Sequence, residues 1–184
     1  MIWADAHANL PSRARWIATA DVASSGATKR VQRRPSRSLE GFLFSSSEID
    51  RQLIQAYLET DYTVFAEPPF SLRVGQPSAE LLALLKRQKT DCSAFLTACN
   101  PLSQPLSADS NAVRQSELAE ELKRRSLDFI DGAGQHPSNG WPAEHSFLVL
   151  GLTLEAAKTL AVRLEQNGLV WAGADGVPQL VLLR

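Results

Sequence analysis

From Ser93 to the end of the chain, apolar runs of strand length alternate with amphipathic runs of helical spacing, and this alternation narrows the possible folds more than any other feature. SAFLTAC, residues 93–99, reads as a strand; a helix follows from about Ser110 to Arg125 with Val113, Leu118 and Leu122 turned inward. LDFIDG makes a short strand, GAGQHPSNGWPAE an irregular loop, and SFLVLGL a strand apolar enough to be buried on both faces. Thr153 caps a helix carrying Leu154, Ala157, Leu160, Ala161 and Leu164 at helical spacing, with Gly168 as its expected left-handed stop. LVWAG and PQLVLL then pair around Asp175 and Gly176.

The segment before Ser93 adds a helix, a hairpin and a second helix. Ser47 reads as a helix cap with Asp50 three residues later, followed by Ile49, Leu53, Ala56 and Tyr57 on one face. TVFAE and FSLRV flank Pro68 and Pro69 as two short strands, and Ser78 caps a helix whose Leu81, Leu82, Leu84 and Leu85 form a broad apolar face. The expected fold class is α+β, with an antiparallel-dominated sheet and, from about residue 93, the ferredoxin-like split βαβ succession. Helices on one face follow from the need of their apolar sides for one common layer.

A chain of 184 residues with 44% hydrophobic and 21% charged side chains suits one well-cored domain plus an extension. Residues 47–184 read as that single domain, and residues 1–46 as a basic, disordered N-terminal extension holding seven Lys and Arg against three Asp and Glu. The formal net charge of −1 gives the whole molecule no electrostatic case for nucleic acid, which is expected only through the basic run at residues 29–38; a solvated tail is the favoured reading of that run. Cys92 and Cys99 suit neither a disulfide framework nor a metal knuckle, and no run has the length of a membrane span or the form of a secretory signal. A soluble, cytoplasmic protein without membrane partners is the expectation.

Polar side chains crowd the exit of the strand at residues 93–99. Asn100, Ser103 and Asn111 there, with Trp141 and Glu144 from the Gly-rich loop, form the candidate ligand-binding set, because amides and hydroxyls offer donors and acceptors together. The plainer reading gives Asn100 and Asn111 to turn and helix-cap duty, and leaves Trp141 over the sheet end with Glu144 paired to an arginine. Cys99 with His136 or His145 is the candidate nucleophilic pair of a small hydrolase or transferase, and Glu144 the candidate acid; a buried structural thiol is the favoured reading of Cys99. Asp131, His136, Glu144 and His145 lack a ligand spacing such as HExxH, so no metal is expected, and no cofactor is indicated. The leading expectation is a binding module for a small polar ligand or a protein; whether the chain is an enzyme stays open.

At YLETDYTV, FLTACNP, WPAEHS and EQNGLVW the chain resembles the bacterial Domain of Unknown Function 3293 family over about residues 49–184. The resemblance marks Tyr57, Tyr62, Asn100, Pro101, Ser103, Asn111, Trp141, Glu144, Ser146, Gln166 and Asn167, and departs at Cys99 and His145, where an aromatic and a second acid are expected. It implies domain limits and no activity.

Overall fold

Asp50 starts the first helix: its carboxylate accepts from Gln52 N at 2.6 Å and makes it the N-cap of α1 (Arg51–Glu59). A cap at Ser47 would have placed Asp50 inside the first turn. Ser47 and the whole of the expected extension, basic run included, lie outside residues 49–184, which the computed structural model describes. The proline-flanked hairpin forms as β1 (Asp61–Val64) and β2 (Phe70–Leu72), and Ser78 caps α2 (Ala79–Arg87) by accepting from Leu81 N at 3.1 Å. Then come β3 (Ser93–Leu96), a short 3-10 turn at Pro101–Ser103, α3 (Ala108–Arg124), β4 (Phe129–Gln135), β5 (Glu144–Leu150), α4 (Leu154–Arg163), β6 (Gly168–Ala172) and β7 (Gln179–Leu182).

The class is α+β. All seven strands among the described residues join one sheet in the order β2-β1-β4-β5-β3-β6-β7, and each neighbouring pair is antiparallel. Side chains alternate between the two faces. Ala94, Leu96, Phe147, Val149 and Leu169 meet Leu118 and Leu122 of α3 and Leu160 of α4. Phe95, Leu148, Leu150, Val170 and Ala172 pack on the opposite face with Leu81, Leu84 and Leu85 of α2. The expectation of helices on one face is therefore corrected: they cover both. The physical reason lies in the central strands, which are apolar at successive positions, so a single helical layer would leave half of their side chains in water.

Other boundaries shift for identifiable reasons. α3 is capped by Ser107, three residues before the expected start. Its inward positions are Gln115, Leu118 and Leu122; Val113 is 58% exposed because it falls on the far side of that phase. Gln115 is buried because its Oε1 accepts from Ala98 N at 2.9 Å, satisfying the backbone just past β3. GAG, expected in a loop, belongs to β4 and pairs with both β1 and β5. The left-handed residue after α4 is Glu165, at φ 59°, and Gly168 opens β6 instead. Among the described residues no helix is long and apolar enough to cross a membrane.

Glu121 ties the two helices of one layer together. Its carboxylate accepts from Arg163 Nη1 at 3.0 Å and Nη2 at 2.6 Å, pairs also with Arg125, and is 14% exposed. The Arg163 hydrogen bonds hold its carboxyl below the usual range. A depressed folded-state pKa adds stability above the unfolded carboxylate pKa and loses it as pH falls through the folded value. Glu121→Gln should cost about 1 kcal/mol near pH 7, since Arg163 is half exposed, and less at about pH 3, below the unfolded carboxylate pKa of about 4.3. Urea melts at both pH values check this; an equal loss at both would remove the ionic explanation.

Candidate functional site

A cavity of about 320 Å³ lies between α1 and the sheet face that carries Phe95 and Val170. Leu53, Ala56 and Tyr57 of α1 form one wall, while Tyr62, Phe95, Val170 and Leu180 supply the floor. Tyr62 and Phe95 meet edge to face, with centroids 5.5 Å apart. Burial pushes the Tyr62 hydroxyl above its ordinary pKa, and that hydroxyl donates to Tyr57 O at 2.8 Å, so it is held as a neutral donor fastening α1 to β1.

The rim comes from three connections that the strand order brings to one end of the sheet. After β3, Asn100 takes the left-handed conformation at φ 47° and ψ 62°, followed by Leu102 at φ 53° and Ser103 at φ 56°. Asn adopts such a conformation with less strain than most residues; Leu does not, and backbone held there costs about 1–3 kcal/mol. Hydrogen bonds oppose that cost. Asn100 N donates to Asn111 Oδ1 at 2.9 Å, Asn111 Nδ2 and Leu106 N each donate to Asn100 Oδ1 at 2.9 Å, and Asn100 Nδ2 donates to Glu144 Oε1 at 2.6 Å. Gln166, after α4, donates to Cys99 O at 3.0 Å.

Glu144 opens β5 at the opposite lip, where Oε1 accepts from Trp141 Nε1 at 2.9 Å as well as from Asn100. Its partners are neutral, in place of the expected arginine. On the α1 side, Tyr57 OH and Ser103 Oγ share a hydrogen bond at 2.7 Å, and Asn167 Nδ2 donates to Ser103 Oγ at 3.0 Å. Asn100, Ser103, Trp141 and Glu144 all line the cavity, and Asn111 stands behind Asn100 as its brace. The five candidate residues thus meet in one region. Tyr57, on the apolar face of α1, is a wall residue, and Thr97, His136 and Ser146 also line the cavity.

The candidate catalytic and metal groupings do not assemble. Cys99 is buried, which raises its thiol pKa, and Sγ approaches the backbone oxygen of His145 at 3.6 Å, while the His145 ring turns away to Asp131 Oδ1 at 2.8 Å. His136 has both ring nitrogens committed. Nδ1 accepts from Ser138 N and Asn139 N at 3.1 and 3.0 Å, which fixes Nε2 as the donor to Glu59 at 3.2 Å. Among the described residues no three metal-capable side chains converge. Folded protein at pH 7 should therefore react with iodoacetamide at Cys99 at least tenfold more slowly than urea-unfolded protein, by mass spectrometry; equal rates would overturn the account of the thiol.

Residues 96–169 match the family model described as Protein of unknown function (DUF3293), which establishes the resemblance over that stretch. The match runs from the end of β3 into β6 and takes in the whole rim, whereas Tyr57 and Tyr62 lie before it. No curated protein and no solved structure matches the chain.

Proposed function

We propose that the chain, which over residues 96–169 resembles a family whose description assigns no activity, is a small-ligand binding module whose ligand enters the cavity between α1 and the sheet. One observation carries the reading: an apolar floor and convergent polar groups share a cavity of about 320 Å³, at the lower end of the range for small-molecule sites. Trp141 and Leu102, 37% and 39% exposed, are apolar surface at this cavity that a ligand would cover. Strained backbone at Asn100, Leu102 and Ser103 gives further support, since strain held by hydrogen bonds concentrates at ligand sites.

A ferredoxin-like core is supported by the order β4-β5-β3-β6, in which β5 separates β4 from β3 and β3 separates β5 from β6, with α3 and α4 as the crossovers. Limits of 47–184 for one domain are supported by two hydrophobic clusters that share β3, β5 and β6. A cytoplasmic location fits two free, buried cysteines.

Gly134 provides the test. A Cβ built there meets only ordinary contacts, 3.7 Å from Thr60 Cγ2 and from the Tyr62 ring, so Gly134→Phe should fill the cavity without breaking the sheet. A diverse fragment set, screened by thermal shift, should yield ligands that stabilise the wild type by several degrees and leave the variant unmoved. Ligands that shift both proteins equally, or a set with none, would sink the proposal.

A further inference from the structure

We infer that the cavity takes an organic cation, an ammonium or amidinium group on an apolar or aromatic body; the inference rests on the small-ligand reading above. The charge on the wall points there. Among the described residues Glu144 is the sole Asp or Glu lining the cavity, and neither Lys nor Arg lines it. His136, the one titratable nitrogen base on the wall among the described residues, has its ring N–H committed to Glu59 and its acceptor committed to two backbone donors. Glu144 takes both of its hydrogen bonds on Oε1, from two neutral donors that leave its negative charge in place.

Desolvation then discriminates among ligands. Anything that fills the cavity strips water from the Glu144 carboxylate, and stripping an ionised carboxylate without a counter-charge is costly. A neutral ligand leaves that cost uncompensated, and an anion adds repulsion. A cation removes it, since a charge-assisted hydrogen bond to Oε2 returns what the lost water gave. The remaining walls suit the same ligand. Tyr57, Tyr62, Phe95 and Trp141 bring four aromatic rings to a cavity of about 320 Å³, and aromatic faces attract ammonium and guanidinium groups through the ring quadrupole.

The arrangement also explains why Asn100 and Trp141 converge on one oxygen. Two donors on Oε1 fix the carboxylate plane and leave the second oxygen for the ligand, so the geometry exists before binding and little ordering cost remains.

The experiment uses the full chain and probes that share a phenyl ring and differ in head charge: phenethylamine, benzamidine, 2-phenylethanol and 3-phenylpropionate. Binding is followed by calorimetry and by thermal shift at pH 7, with wild type, Glu144→Gln and Gly134→Phe in parallel. The cationic probes should bind wild type at least tenfold more tightly than the alcohol or the acid, and lose at least tenfold in Glu144→Gln while that variant keeps its melting temperature within a few degrees. Should Glu144→Gln melt early, the preference among probes in wild type decides alone. Equal or better binding of the alcohol or the acid, still blocked by Gly134→Phe, overturns the cation and leaves the ligand cavity standing. Absence of binding by all four probes to wild type overturns the cation, and failure of the diverse fragment screen as well overturns the cavity reading itself.

Discussion

Gly132→Ala should lower stability by about 3 kcal/mol or more, although it adds a single methyl group. A Cβ at that position would stand 2.5 Å from Thr63 O and 2.9 Å from the Phe95 ring. Phe95 cannot yield easily, because it is 5% exposed and packed against Tyr62. Thr63 O cannot yield either, since β1 is held in register on both sides, Val64 opposite Gly132 on one and Phe70 on the other. Gly134 lies two residues along on the same face of β4, and its added Cβ finds nothing closer than 3.7 Å. Gly134→Ala is thus the control, expected within about 1 kcal/mol of wild type. Urea midpoints with unchanged slopes would measure both. If the two substitutions cost the same, close approach at Gly132 is not what fixes that glycine. The prediction also reaches the cavity, because the space Gly132 leaves open is what admits the Phe95 ring that forms part of its floor.

The same two glycines show where the sequence stops speaking. GAG looks like a loop because glycine in a strand forfeits side-chain packing, and nothing local reveals that Phe95, far away in the chain, occupies the space above Gly132. Elements whose signal is local are readable: the caps at Ser78 and Thr153, the Pro68-Pro69 hairpin, and the apolar run that becomes β5. Val113 was misplaced because an apolar residue counted as inward by type, whereas the inward position two residues on belongs to Gln115, whose role depends on Ala98. The placement of helices on both faces was written in the alternation of β3 and β5, where neither face is polar.

The candidate site was legible as residue types and illegible as a cavity. Asn100, Ser103 and Asn111 crowd one turn, so their proximity is nearly local, and Trp141 lies three residues from Glu144. What no local pattern states is that the turn after β3 and the start of β5 face each other; that follows from β5 pairing directly with β3. Tyr57 is a related case. Its helical phase marks it as inward, and inward here means toward a cavity instead of toward packed side chains. Buried residues are absent from α1, the signature of a helix that roofs an opening.

Substitutions at Asn100 should separate the contributions that hold the rim together. Asn100→Gly keeps a backbone free to sit at φ 47° and loses the side-chain bonds to Glu144, Leu106 and Asn111, with an expected cost of about 2 kcal/mol. Asn100→Ala loses the same bonds and adds left-handed strain of about 1–2 kcal/mol, so it should be the worse of the two despite its larger side chain. Asn100→Asp is nearly isosteric and retains oxygen acceptors for Leu106 N and Asn111 Nδ2, but it replaces the donor 2.6 Å from Glu144 Oε1 with a second carboxylate. Two carboxylates at that distance cannot both ionise cheaply, so at least one folded-state pKa must rise above its unfolded value. A raised acid pKa destabilises at high pH and ceases to do so once the proton is bound in both states. Relative to wild type, Asn100→Asp should therefore be least stable near pH 8 and recover most of its deficit by about pH 4, where the pair shares a proton; Asn100→Gly should show a deficit that changes little over that range. Urea melts of the three variants from pH 8 to pH 4 test both statements. A flat profile for Asn100→Asp would mean that Asn100 does not hold the Glu144 carboxylate, and the recognition geometry built on that contact would fall with it.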